Sequence, residues 1–362
     1  MMKKLFLFLV IMGCSFVLSA QESVTLDQIR DNWQSKSIVV EDAAPANILE
    51  LVSAFQQVWP TYSGSELIKF AVSDEEYINS DKVVDIENGY VIYSEDDPDA
   101  ESDEGLEACV WNRKNGHRLM AITFYRMTPS ELVVLCFYDY DPKTNILTPE
   151  KSLANLFEPS FPGYRHRVFP PRNGKNLVIN EYFGSITIKH TYGWDGMKPS
   201  NPQITIDQLD NCQAQFNQDY FLGDGDFFTQ YALMDIDHDG KPELLLQSDD
   251  ESYCAVYSIA LTTMLLAGQN GTRFLSFYKN AVCHSGSCGA MCMSAVYVIL
   301  NESYPKTYLS ELWEWNEKAE DYVISAYTLD GKEISKEKGE KMVQSLGEPY
   351  EPKLKWIELT VE

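Results

Sequence analysis

The stretch "EACVWNRKNGHRLMAITFYRM", Glu107 to Met127, sets two apolar, strand-like runs on either side of Asn115-Gly116. That dipeptide tolerates the positive φ a tight reversal needs, so the segment reads as an antiparallel hairpin. The text around it stays in strands. "ELVVLCFYDY", Glu131 to Tyr140, follows, and then "NLVINEY" and "SITIKHTYGW" flank Phe183-Gly184. Connections this short cannot carry parallel crossovers, so the first half of the chain reads as an antiparallel meander.

Two segments break the strand pattern with helical spacing. "PANILELVSAFQQVW" places Ile48, Leu51, Val52, Phe55, Val58 and Trp59 on one face, with Pro45 near its start and Pro60 closing it. "TIDQLDNCQAQF" opens with Thr205 and Gln208 at capping-box spacing, then puts Leu209, Cys212 and Phe216 on one face. A shorter echo, "TLDQI", begins at Thr25. Between the two halves, "WDGMKPSNPQ", Trp194 to Gln203, is poor in apolar residues and rich in breakers. The boundary is placed there, giving an N-terminal α+β domain over 21–200 and a C-terminal mainly β domain over 201–362. The second half repeats the plan with "FTQYALMDI", "ELLLQ", "CAVYSIAL", "RFLSFYK", "SAVYVIL" and "DYVISAYTL". An amphipathic helix, "SKEKGEKMVQSL", follows the Asp330-Gly331 turn. The expected fold is mainly β (α+β): two antiparallel β-meander domains, each with an N-terminal helix, plus a C-terminal helix.

The first residues, "MMKKLFLFLVIMGCSFVLSAQES", have a basic head, an apolar run and small residues before Gln21. That layout is a secretory signal peptide over 1–20, too short for a stable membrane span. Cleavage after Ser19-Ala20 competes with a lipobox reading of "IMGC", which would leave Cys14 as a lipid-bearing N-terminus. Export to the periplasm, cell surface or medium is expected on either reading. With 29 Lys plus Arg against 54 Asp plus Glu, the formal net charge is -25, which repels phosphate backbones and argues against nucleic-acid partners. The run "EDDPDAESDEG", Glu95 to Gly105, reads as a solvated acidic loop.

Chemistry concentrates in "MDIDHDGKPELLLQ", Met234 to Gln247. Calcium takes six to eight hard oxygens, and alternate aspartates in a tight loop can turn their carboxylates inward. Asp235, Asp237 and Asp239 would supply carboxylates, Lys241 its backbone carbonyl, and Glu243 a carboxylate directly or through water. Gly240 permits the bend, while Ile236 and His238 point away. The spacing departs from an EF-hand, because Leu246 stands where that loop has its bidentate acid. It resembles instead the FG-GAP or VCBS-type calcium loop of integrin-like β-propeller blades, D-x-D-x-D-G-x-x-D/E, which joins two antiparallel strands. The resemblance covers fewer than twenty residues and occurs once, so it implies one Ca2+ site and not a propeller. An acidic Asp-Gly turn without a cation is the competing reading.

"AVCHSGSCGAMCMSAV" gathers Cys283, His284, Cys288 and Cys292. The spacing lacks the C-x2-C form of structural zinc sites, and an exported chain favours oxidation. A glycine-rich loop pinned by one disulfide among Cys283, Cys288 and Cys292 is expected, with Cys109, Cys136 and Cys254 as buried thiols. Trp313 and Trp315, two apart, share a strand face as core or as a sugar platform. No hydrolase, phosphate-loop or dinucleotide motif appears. The expected function is a non-enzymatic, secreted or surface-exposed binding or structural module stabilised by calcium, with glycan or protein at the cell envelope as partner. The alternative is an envelope hydrolase acting on glycan or peptide with Cys288 as nucleophile.

Overall fold

The Asn115-Gly116 hairpin forms as expected and anchors the first of four antiparallel sheets. In the computed structural model the described residues are 23–73, 82–94, 104–126, 132–220, 222, 225, 227–259, 263–270, 273–301 and 304–360. The expected signal segment 1–20, Cys14, Gln21 and residues 95–103 of the acidic run lie outside them. The fold is mainly β with five α-helices among the described residues.

The first sheet holds β1 (Ile38–Val39), β2 (Lys82–Asp85), β3 (Tyr90–Tyr93), β4 (Glu104–Asn112), β5 (Arg118–Arg126), β6 (Leu132–Asp141) and β7 (Ile146–Pro149). Its order is β1-β7-β6-β5-β4-β3-β2, a meander with β1 added at one edge. Asn112 pairs with Arg118 at the head of the β4–β5 ladder. The Arg113 N–H then donates to the His117 carbonyl, and Gly116 at φ 86° closes the turn. Three helices accompany this sheet: α1 (Leu26–Asn32), α2 (Ile48–Val58) and α3 (Tyr62–Val72). The sequence reading foresaw α2, noted only an echo of its text at Thr25 where α1 forms, and missed α3, because Pro60 reads as a terminator while Thr61 caps a new helix through the Gly64 N–H. Phe55 of α2 stacks on Phe124 at 5.7 Å and meets Tyr138 edge-on at 5.8 Å, so the helices cover one face of the sheet.

Four further strands, β8 (Arg165–Phe169), β9 (Leu177–Phe183), β10 (Ile186–Trp194) and β11 (Pro199–Ile206), are ordered β11-β10-β9-β8. The capping box expected at Thr205 does not form. Thr205 lies within β11, and the helix α4 (Leu209–Asp219) starts beyond it, with no side-chain cap from Gln208. Asp207 is held instead on the strand side, its Oδ1 accepting the Thr187 N–H at 2.8 Å.

The C-terminal half builds two more meanders. β12 (Gln230–Met234), β13 (Glu243–Gln247), β14 (Cys254–Ser258) and β15 (Met264–Gln269) run in order β15-β14-β13-β12, and the short strand Ile357–Glu358 returns to the outer edge of β12. Next come β16 (Arg273–Tyr278), β17 (Ala281–Gly289), β18 (Cys292–Asn301), β19 (Tyr304–Asn316), β20 (Asp321–Leu329) and β21 (Lys332–Ile334), paired in sequence order. The helix α5 (Lys336–Ser345) is capped by Ser335, whose side chain accepts the Lys338 N–H.

The chain divides into two compact units. One comprises Met1–Glu158, Arg167–Val178 and Tyr192–Asn201; the other comprises Pro159–His166, Ile179–Thr191 and Pro202–Glu362. The two short segments that group with the second unit precede the boundary read from sequence, and their apolar residues explain why. Phe183, Ile186 and Ile188 are buried in one core with Phe216 of α4, Tyr231, Leu244 and Tyr257, with Phe161 and Tyr164 packed against it. The β12–β15 sheet buries its other residues, Ala232, Leu245 and Val256, against Phe277, Val282 and Val298. A third cluster sets Tyr297, Leu309 and Tyr327 against Leu346, just past α5.

Candidate metal site

The β12–β13 ladder ends with Met234 paired to Glu243, and residues 235–242 form the connection. Ile236 is fully buried and fixes the loop to the core beneath it, whereas His238 is exposed. The chain then turns through two positive φ values, 60° at His238 and 87° at Gly240. A Cβ on Gly240 would meet nothing within 4 Å, so conformation and not space calls for glycine there.

These turns point the aspartates together. One carboxylate oxygen each from Asp235, Asp237 and Asp239 lies within 4.8 Å of the others. Opposite ligands of a single calcium stand about 4.6–5.2 Å apart, twice the usual Ca–O length, so the spread fits one ion. The loop's main chain holds the carboxylates in that posture. The Asp239 N–H donates to Asp235 Oδ1 at 3.0 Å and to Asp237 Oδ1 at 3.3 Å. Gly240 N–H donates to Asp235 Oδ2 at 2.9 Å, and Lys241 N–H to Asp239 Oδ1 at 2.7 Å.

Of the five expected ligands, the structure brings three together. Glu243, the first residue of β13 and fully buried, accepts the Ile236 N–H at 2.9 Å. Lys241 presents its ammonium 3.6 Å from Asp239 Oδ2, half exposed. One neighbour escaped the sequence reading. Burial, and then the negative charges of Asp239, Asp235 and Glu243, push the Tyr164 phenol up to about 12. Tyr164 is seated by Phe183, with ring centroids 4.9 Å apart. Nothing in the spacing of the sequence links it to a loop seventy residues later.

The cysteine-rich stretch differs from its expected form. It is not a loop but the β17–β18 hairpin, which Cys288 and Cys292 bridge near its tip with a disulfide. The disulfide expected among the three cysteines is present, and Cys283 is a buried thiol along with Cys109, Cys136 and Cys254. His284 turns away from the bridge and meets the Tyr220 hydroxyl through Nδ1 at 3.1 Å. Cys288, bonded to Cys292, offers no thiolate for the nucleophile role weighed above. The tryptophan pair is divided: Trp313 packs against the α5 core, while Trp315 is 37% exposed beside Tyr322.

No family model, curated protein or solved structure matches the chain.

Proposed function

We propose that this chain is an exported binding or structural module whose second unit is stiffened by one calcium ion. The observation that carries the reading is the convergence of Asp235, Asp237 and Asp239 on a span sized for that ion, at the end of a buried hairpin. Three carboxylates this close repel, at a cost on the order of a kcal/mol per close pair, and a divalent cation removes that cost. The alternating aspartates, Gly240 and the flanking strands support the resemblance to an FG-GAP or VCBS-type loop, with Lys241 and Glu243 completing the shell through a carbonyl and a water. Export rests on the layout of residues 1–20. The Cys288–Cys292 bridge suits an oxidising compartment, and no described helix is long and apolar enough to cross a membrane. The partner proposed is glycan or protein at the cell envelope.

Thermal melts of the full mature chain test the calcium reading. Binding to the folded state alone stabilises by RT ln(1 + [L]/Kd), about 2.7 kcal/mol at a hundredfold excess. That corresponds to a rise of about 5–10 °C in Tm for a unit of this size. Magnesium should restore less after chelation, since it prefers a smaller octahedral shell. A melt that calcium moves no further than sodium at equal ionic strength sinks the reading. Intact mass of the native protein tests export: a Gln21 or a diacylated Cys14 terminus supports it, and retention of residues 1–20 opposes it.

A further inference from the structure

The first unit carries a cleft of ≈ 440 Å³ where the β4–β5 turn faces the segment around Pro45. That volume is within the usual range for a small-molecule site, about 300–1,000 Å³. Its wall includes Asn112, Arg113, His117, Arg118, Pro45 and Pro142. Two guanidiniums and an imidazole therefore line it, and among the described lining residues there is no carboxylate. The nearest carboxylates, Asp139, Asp141 and Glu150, are engaged with Arg113 and His117 and not with Arg118.

The two guanidiniums and the imidazole are differently committed. Arg113, with a side chain 8% exposed, donates to Asp139 Oδ1 at 2.7 Å and to Glu150 Oε2 at 2.8 Å, behind the wall. Its Nε is buried and has no hydrogen-bond partner. His117 is aimed by Asp139, whose Oδ2 lies 2.6 Å from Nδ1, with Asp141 Oδ1 at 3.8 Å from Nε2. Arg118 is the uncommitted charge. It gives one N–H to the Ala46 carbonyl at 2.8 Å and forms no ion pair among the described residues. A guanidinium has five donors in a planar fork suited to carboxylate and phosphate oxygens.

We propose that this cleft binds a small molecule through an anionic oxygen group, with Arg118 as counter-charge and Asn112 and Arg113 as the flanking donors. A carboxylate and a phosphate share this chemistry, and the ligand would meet a site already held open by the Arg113–Asp139–His117 chain. Every lining residue belongs to the first unit, so the inference stands apart from the calcium reading.

Arginine Nε–H resonances of the full chain, recorded without added calcium, provide the test. Inorganic phosphate and acetate are titrated separately, with chloride as the ionic-strength control. Saturable shifts of the Arg113 and Arg118 signals are expected, with Kd in the millimolar range or tighter. Arg118→Gln should weaken binding about tenfold or more, and Arg118→Lys by less. A response to acetate alone assigns a carboxylate ligand, and one to phosphate alone a phosphorylated ligand. If Arg118→Gln does not fold, Arg118→Lys and Asn112→Ala carry the comparison. The proposal is overturned if neither anion acts beyond chloride at about 20 mM. It is equally overturned if the folded variants bind as tightly as the parent chain.

Discussion

Each unit crowds carboxylates at a hairpin end, and the two relieve the crowding differently. In the first unit, Asp139 and Glu150 share Arg113, and His117 sits between Asp139 and Asp141. Arg113 and His117 come from the neighbouring β4–β5 hairpin and are built into the fold. In the second unit, Asp235, Asp237 and Asp239 are held by main-chain amides of their own loop, with Lys241 Nζ at 3.6 Å from Asp239. Amides orient a carboxylate without neutralising it. The difference separates carboxylates already neutralised by the fold from carboxylates able to take a cation from outside.

The largest effect expected from breaking this contrast is at Arg113. Arg113→Ala strands Asp139 and Glu150 together, and removing one partner of a largely buried pair costs about 3–5 kcal/mol. Amide exchange in β4–β6 should accelerate accordingly, and calcium should not restore it. Exchange unchanged in those strands would mean the ion pairs are ornamental.

Glu107 sharpens the contrast from the other side, as a buried carboxyl in no ion pair among the described residues. Burial pushes it up to about 7, although the Tyr90 hydroxyl donates to it at 2.8 Å and the charge of Arg167 favours ionisation. A carboxyl raised above its ordinary 4.5 holds its proton more tightly folded than unfolded. Its contribution is therefore full below about pH 4.5, declines as pH rises to about 7, and is flat above. The loss is on the order of 3 kcal/mol, and Glu107→Gln should abolish that slope. Parallel pH–stability curves for the two proteins would refute it.

Asp237→Ala comes next in size. It should remove the calcium stabilisation of about 2.7 kcal/mol while leaving the calcium-free protein as stable as before or slightly more so. A variant that still responds fully to calcium would move the site elsewhere. The smallest test concerns a local motif used twice. Thr25 and Gln28 form a reciprocal capping box at α1, so Thr25→Ala should cost about 1 kcal/mol. Thr205, in the same T-x-D-Q text, lies in a strand, and Thr205→Ala should stay within about 0.5 kcal/mol. Equal losses would mean Thr205 caps α4 after all.

That repeated motif marks how far the sequence could be read. Capping chemistry at Thr25 is local and legible. At Thr205 the same letters are overruled because Ile206 is buried in the core and Asp207 is pinned to Thr187, a pairing no short window contains. The hairpin at Gly116, the strands and α5 were legible from period and turn residues. So was the close approach of the three aspartates, whose spacing is their own geometry. Tyr164 beside them, and Arg113 facing Asp139, depend on which strands become neighbours. Pairings across 26 to 75 positions leave no periodic trace. Glycines misled at the cysteine stretch, which the bond from Cys288 to Cys292 and the ladder to β18 hold as strands.

The interlacing of the two units has a consequence for how the protein is made. Pro159–His166 and Ile179–Thr191 leave the ribosome before Tyr192–Asn201, which the first unit needs, and long before the strands they pack on. The first unit can close once about two hundred residues have emerged. During that interval Phe183, Ile186 and Ile188 have no core to enter. Synthesis therefore carries an obligatory stage in which apolar side chains wait for the rest of the chain, and a nascent-chain chaperone would find them there.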